Sequence, residues 1–141
     1  MHIRTAAAVA AFLVGAVWCA GAQDAQQVKV TPLASARTTA IGQPITLPRQ
    51  DVEVRAWLYE IAVGAVLEVH KHPFPRYAYV LAGTLRVFDK ENARTFEYSA
   101  GDFVVEMVDT WHYGANIGSE PVRLLVIDQV EDGRSNTILF K

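Results

Sequence analysis

Cysteine is almost absent from this sequence, because Cys19 is the only thiol among 141 residues. A single cysteine cannot form a disulfide within the chain, so the fold must be stabilised without one. Basic clusters are absent too: the 13 Lys and Arg residues form no run and are balanced by 15 Asp and Glu. A formal net charge of −2 without a basic patch argues against a nucleic-acid-binding protein.

The first 22 residues have the pattern of a secretory signal peptide. His2 and Arg4 give a short positive start, and the apolar run from Ala6 to Val17 is too short to span a bilayer. Small residues at 20–22 then provide a cleavage site. We therefore expect cleavage after Ala22 and a periplasmic or secreted protein that is not attached to a membrane. An uncleaved anchor helix is the alternative.

A 3.6-residue amphipathic period is missing downstream of the predicted signal peptide. Short β-branched and aromatic stretches alternate there with Gly- and Asp-containing turns, which predicts an all-β barrel or sandwich. The length suits one domain with a substantial core. We divide the chain into a signal peptide (1–22), an N-terminal arm with short edge strands (23–51), a β-barrel (52–133) and a C-terminal tail or last strand (134–141).

His70 and His72 are the clearest candidate functional residues. They lie two positions apart in an apolar, β-branched stretch, and residues i and i+2 of a strand project from the same face. Imidazole is the commonest metal-binding side chain, so this pair has the form of half a metal site.

Two stretches, residues 64–83 and 101–116, resemble the two signature motifs of the cupin superfamily. The matching positions are Gly64, His70, His72 and Gly83 in the first motif, and Gly101, His112 and Asn116 in the second. The resemblance implies a single-domain cupin jelly-roll β-barrel, commonly a homodimer. It also implies that His70, His72 and His112 bind a divalent transition metal, which could be Fe, Mn, Ni, Cu or Zn. Imidazole ligands suit Fe, Ni, Cu and Zn alike, so the sequence does not identify the metal.

The distribution of histidines agrees with this assignment. Of four histidines, His2 would leave with the signal peptide, and the other three all fall on the implied ligand positions. The alternative is that they are hydrogen-bonded core histidines of a barrel that has lost its metal.

Three positions depart from the cupin motifs. Arg76 stands where the first motif has a glutamate ligand, and Met107 and Asp109 replace a proline and a glycine of the second. Arginine is permanently charged and cannot coordinate a cation, which leaves three imidazoles and an open position. We consider two roles for Arg76: binding a small anionic substrate beside the metal, or pairing with a surface acid at the rim.

Carboxylates near the histidines are expected to be solvated. Glu68 would face the same side as His70 and is a candidate replacement ligand, but charged residues at a strand start are mostly exposed. Glu106 and Asp109 are likewise expected in solvent, so the predicted ligand set contains histidines alone.

Two classes of function stay open, because one fold hosts many unrelated activities. The first is a metal-dependent enzyme, an oxidoreductase with dioxygenase-like or related chemistry, acting on a small anionic molecule oriented by Arg76. The second is a non-catalytic cupin module that binds a small ligand with or without metal. A germin-like, superoxide-handling protein is a third reading, weakened by the missing glutamate. Further catalytic residues are not predicted.

Overall fold

The computed structural model describes residues 28–141, so the predicted signal peptide lies outside the described residues. Residues 32–141 form one compact unit, and the preceding residues 28–31 belong to a separate N-terminal unit. No described residue is helical, and accordingly no described helix is long and apolar enough to cross a membrane. The all-β prediction is confirmed.

The described chain forms nine strands, which pair in two antiparallel sheets. They are β1 (Val52–Ile61), β2 (His70–Lys71), β3 (Arg76–Ala82), β4 (Thr84–Asp89), β5 (Arg94–Ser99), β6 (Phe103–Val105), β7 (His112–Asn116), β8 (Val122–Glu131) and β9 (Ile138–Leu139). One sheet has the order β1-β8-β3-β6 and the other the order β5-β4-β7-β2-β9. Two such sheets are the layers of the predicted jelly roll.

The N-terminal arm is expected to have short edge strands, and residues 28–51 contain one isolated bridge, between Thr38 and Pro44. The Gln43 side chain attaches this arm to the chain that leads into β7. It donates to the Val108 carbonyl at 2.8 Å and accepts from the Val108 amide at 3.0 Å. The arm therefore supports the loop that precedes His112.

The hydrophobic core lies between the two sheets, because inward residues of both contribute to a single cluster. Its largest contributors are on β3, β4 and β8: Ala78, Val80, Leu85, Val87, Val122, Leu124 and Val126. Successive residues of a strand point to opposite faces. On β3 this buries Arg76 with the core residues and leaves Tyr77 and Tyr79 on the other face.

Candidate metal centre

The three predicted histidines form one buried cluster between the sheets. His70 and His112 are direct partners where β2 pairs with β7, and His72 follows two residues after His70. The ring centroids are 4.6 Å apart for His70 and His112, 4.9 Å for His70 and His72, and 5.0 Å for His72 and His112. One ligand nitrogen from each ring lies within 4.8 Å of the other two.

Backbone carbonyls orient all three rings. The Nδ1 atoms of His70, His72 and His112 lie 2.6, 2.5 and 2.7 Å from the carbonyl oxygens of Glu68, Asn136 and Thr110. A carbonyl can only accept, so each Nδ1 carries a hydrogen, and in the neutral ring each Nε2 keeps its lone pair. This arrangement of a fixed Nδ1–H and a free Nε2 is typical of metal-ligating histidines.

Glu106 also lies in this cluster, so the expectation that it is solvated is wrong. Its Oε2 atom is 3.2 Å from Nε2 of His72 and 3.4 Å from Nε2 of His112, and its side chain is only 19% exposed. The Glu106 amide donates to the Arg76 carbonyl at 2.9 Å and so continues the pairing of β6 with β3. Val104 faces the core. Strand alternation from Val104 to Glu106 is the signal that could have placed this carboxylate inside.

The other two acidic neighbours are exposed, as expected. Glu68 and Asp109 both have exposed side chains, and Asp109 pairs with Lys71 at 3.2 Å. The backbone carbonyl of Glu68 holds His70.

Arg76 lines the site, but its guanidinium is held by Asp128 and not by a surface acid. Nε and Nη2 of Arg76 donate to the two carboxylate oxygens of Asp128 at 2.7 and 2.9 Å. Trp57 and Asn136 donate to the same carboxylate at 2.9 and 2.7 Å. Nη1 of Arg76 is directed towards the histidines, 3.5 Å from Nε2 of His72. Arg76 is therefore buried beside the histidines and fixed in place.

The pKa values follow from burial and from these contacts. Burial lowers the pKa of His70 to about 4, so this ring is neutral at neutral pH. Burial alone would raise the pKa of Glu106, but hydrogen bonds from the His112 and His72 rings in their protonated form hold it well below its ordinary value. Burial alone would lower the pKa of His112, but the same contact raises it. Asp128 behaves like Glu106, because the Arg76 guanidinium outweighs burial and lowers its pKa. Both carboxylates are thus ionised at neutral pH.

The chemistry of this group of atoms fits a cation. Three imidazole lone pairs and one carboxylate converge, and all of them are acceptors. Within the described residues the buried Nε2 of His112 has no hydrogen-bond partner. A buried acceptor without a partner costs free energy, and a bound metal ion would satisfy all of these groups together.

The cavity at this site is small. A space of about 30 Å³ is lined by residues that include His70, Arg76, Glu106 and His112. A second space of about 170 Å³ shares His70 and Arg76 and extends to Glu68 and Leu139. A larger groove, about 590 Å³, includes none of the histidines and is lined by residues such as Pro44, Pro48 and Pro73. We therefore place the site in the smaller cavity.

Comparison with known proteins identifies the family and supports the fold. Residues 57–128 match the family model of the cupin domain. Over 74 residues the chain is 39% identical to the oxalate decarboxylase OxdC of Bacillus subtilis (strain 168), covering 50% of this chain and 19% of that protein. The chain thus spans about a fifth of this curated relative.

Solved structures give similar matches. The formate complex of Lactobacillus farciminis oxalate decarboxylase is 32% identical, with a TM-score of 0.52 over 64% of this chain and 27% of that chain. Bacillus subtilis oxalate decarboxylase, which has Mn(II) centres, is 32% identical, with a TM-score of 0.53 over 62% of this chain and 24% of that chain. The polyketide cyclase RemF of Streptomyces resistomycificus is 18% identical, with a TM-score of 0.53 over 62% of both chains, and shares the fold alone.

Proposed function

Because the chain belongs to the cupin domain family, we propose that His70, His72 and His112 bind a divalent metal ion and that this centre binds a small anion. The observation that carries the proposal is the convergence of three Nε2 lone pairs, each with its Nδ1 fixed on a backbone carbonyl. A divalent ion held in this way supplies Lewis acidity that polarises a bound oxygen ligand.

The identity of the metal is a separate question. Imidazole suits Fe, Ni, Cu and Zn, and an added carboxylate also suits Mn. Bacillus subtilis oxalate decarboxylase has Mn(II) centres. Manganese is therefore the first ion to test, followed by iron and zinc.

Charge and cavity size favour a small anionic molecule. Nη1 of Arg76 faces the histidines, while Nε and Nη2 are engaged by Asp128. One N–H edge is thus available for an anionic oxygen, which makes Arg76 the proposed anion-binding residue. The inner space of about 30 Å³ admits little more than an ion and a water. The class of ligand that fits is a short carboxylic acid whose tail lies in the outer space. The similar proteins named above include oxalate decarboxylases.

The second candidate function is a non-catalytic cupin module that captures a small ligand. The observation in its favour is the same small inner cavity, which leaves little room for a substrate together with a co-reactant. If the protein is an enzyme, we propose metal-dependent chemistry of the dioxygenase-like or a related type.

We also propose that the chain is a homodimer formed through the outer face of the β1-β8-β3-β6 sheet. Register places a continuous apolar row across all four strands: Leu58 opposite Leu125, Leu125 opposite Tyr79, and Tyr79 opposite Phe103. Leu58, Leu125 and Phe103 are exposed at 54, 40 and 37%. A second copy of the chain would cover this face, since contiguous exposed apolar surface usually marks an interface.

Export is proposed from the sequence of residues 1–22 alone. The mass of the protein recovered from the periplasm or the medium tests it. A mature chain that starts at Gln23 supports export with the proposed cleavage, and a full-length chain retained in the cytoplasm contradicts it.

Metal analysis tests the central proposal. Protein made without a histidine tag is loaded with excess Mn(II), Fe(II) or Zn(II) and then dialysed. We expect about one ion per chain. We expect His112→Ala to lose it, whereas the control Glu97→Gln, at an exposed carboxylate outside the site, should keep it. Wild-type protein that retains no ion under any loading condition would refute the proposal. Oxygen uptake and carbon dioxide release with thiols and short carboxylic acids then separate an enzyme from a binding module.

A further inference from the structure

Glu106 is a largely buried carboxylate whose Oε2 lies 3.2 Å from Nε2 of His72 and 3.4 Å from Nε2 of His112. Nδ1 of each of these rings donates to a backbone carbonyl, so in the neutral rings both Nε2 atoms are acceptors, as the carboxylate oxygen is. The nearest guanidinium, that of Arg76, pairs with Asp128. Acceptors that face one another in a buried space repel unless a proton or a metal ion lies between them.

From this geometry we infer that Glu106 is a fourth protein ligand of the metal ion. The inference rests on the proposed function, because it concerns the same ion as the three histidines. It changes the predicted site from three neutral imidazoles to three imidazoles and one carboxylate. The ligand Glu106 directly follows β6 and is four positions before Thr110, whose carbonyl orients His112.

The distances agree with a shared ion. Nitrogen and carboxylate oxygen ligands lie about 2.0–2.2 Å from a divalent ion, so two of them at 90–110° to each other are about 3.0–3.5 Å apart. Oε2 of Glu106 is 3.2 Å from Nε2 of His72 and 3.4 Å from Nε2 of His112. These separations are those of neighbouring ligands around one ion.

The backbone holds Glu106 in this place. Its amide donates to the Arg76 carbonyl at 2.9 Å, in continuation of a register in which Val104 pairs with Ala78. Met107, the next residue, is 2% exposed. A ligand placed by a strand ladder and a buried neighbour is positioned more accurately than one on a free loop.

The carboxylate also changes the charge of the centre. A divalent ion with three neutral imidazoles and Glu106 has a net charge of about +1, and Asp128 neutralises Arg76. Such a centre attracts a single anionic group less strongly than one of charge +2, and it therefore releases that group more easily.

Metal affinity and the Co(II) absorption spectrum test the inference. Untagged wild-type protein, Glu106→Gln and the control Glu97→Gln, at an exposed carboxylate paired with Arg86, are each titrated with Mn(II) and Zn(II) and examined after Co(II) loading. We expect Glu106→Gln to weaken metal binding by more than the about 10- to 100-fold typical of groups that only orient a ligand, and to change the Co(II) spectrum. Glu97→Gln should match the wild type in both readouts.

The outcomes separate the inference from the proposal beneath it. A wild-type protein that binds no metal refutes the proposed function. A wild-type protein that binds metal, with Glu106→Gln equal to it in affinity and spectrum, overturns the inference and leaves the three-histidine site intact. If Glu106→Gln does not fold, Glu106→Asp is measured instead. The shorter carboxylate should weaken binding and shift the spectrum, and wild-type behaviour would again overturn the inference.

Discussion

Arg76 and Glu106 face each other across the β3–β6 pair on the inner side of the barrel, and the Glu106 amide donates to the Arg76 carbonyl at 2.9 Å. Their charges are opposite, yet they do not form a direct ion pair. Arg76 instead pairs with Asp128, and Glu106 turns to the histidines. The structure therefore keeps a cation and a carboxylate side by side with separate partners, which leaves the carboxylate available to a metal ion.

The Arg76–Asp128 pair should be essential for stability. Asp128→Asn leaves a buried guanidinium without its counter-charge, and breaking one side of a buried pair costs about 3–5 kcal/mol. Urea unfolding of the metal-free protein measures the change. Glu97→Gln is the matched control, because Glu97 pairs with Arg86 at 2.6 Å on the exposed surface and should contribute less than about 1 kcal/mol. Equal effects of the two substitutions would contradict the assignment of Arg76–Asp128 as a buried structural pair.

Asn136 should control metal affinity without contacting the ion. Its carbonyl holds Nδ1 of His72, and its side chain accepts from the Phe74 amide at 2.9 Å and donates to Asp128 at 2.7 Å. Asn136→Ala frees the segment that carries this carbonyl, so we expect metal affinity to fall about 10- to 100-fold. Isothermal titration with Zn(II) measures it.

Ser135→Ala is the control for that measurement. Ser135 is exposed and bonds only within its own turn, to Thr137. We expect it to bind metal as the wild type does. Unchanged affinity in Asn136→Ala would show that the orientation of His72 does not depend on the side-chain contacts of Asn136.

The sequence predicted the histidine cluster because the information for it is local. His70 and His72 share a face by strand alternation, and motif spacing added His112. Glu106 was missed because alternation shows only that it shares a face with Val104, and which face is inward is fixed by the non-local pairing of β6 with β3. Asp128 and Asn136 were missed for a similar reason, since they reach Arg76 and His72 from 52 and 64 residues away. Such partners have no motif of their own and appear only when the sheets close.

Asp89 should make stability depend on pH. Its carboxylate accepts from the Glu91 and Asn92 amides, both at 3.0 Å, and from the Asn92 side chain at 2.9 Å. Burial opposes ionisation, but these hydrogen bonds lower the pKa of Asp89 below its ordinary value. Because its pKa is lower in the folded state, the ionised carboxylate of Asp89 stabilises the folded protein. This contribution is complete at pH values above the unfolded-state pKa of about 3.9, and it is lost as the pH falls through the folded-state pKa.

Asp89→Asn checks the sign of this effect. The difference in unfolding free energy between wild type and Asp89→Asn should be about 1–3 kcal/mol near pH ~7 and should shrink as the pH is lowered towards ~3. Urea unfolding in a pH series measures it. A difference that grows on acidification would mean that the turn does not favour the ionised carboxylate.

The apolar row on the outer face of the β1-β8-β3-β6 sheet makes the oligomeric state testable. Leu58 and Leu125 are opposite each other in the β1–β8 pair and point away from the core, so a lysine at either position should disrupt a dimer and not the fold. We expect sedimentation velocity to show a dimer for the wild type and monomers for Leu58→Lys and Leu125→Lys. Ile117→Lys, at an exposed apolar residue outside the strands, should remain dimeric. A monomeric wild type would refute the proposed dimer. Dimers of all three variants would exclude this face as the interface, because a stable association cannot bury an unpaired lysine on each copy.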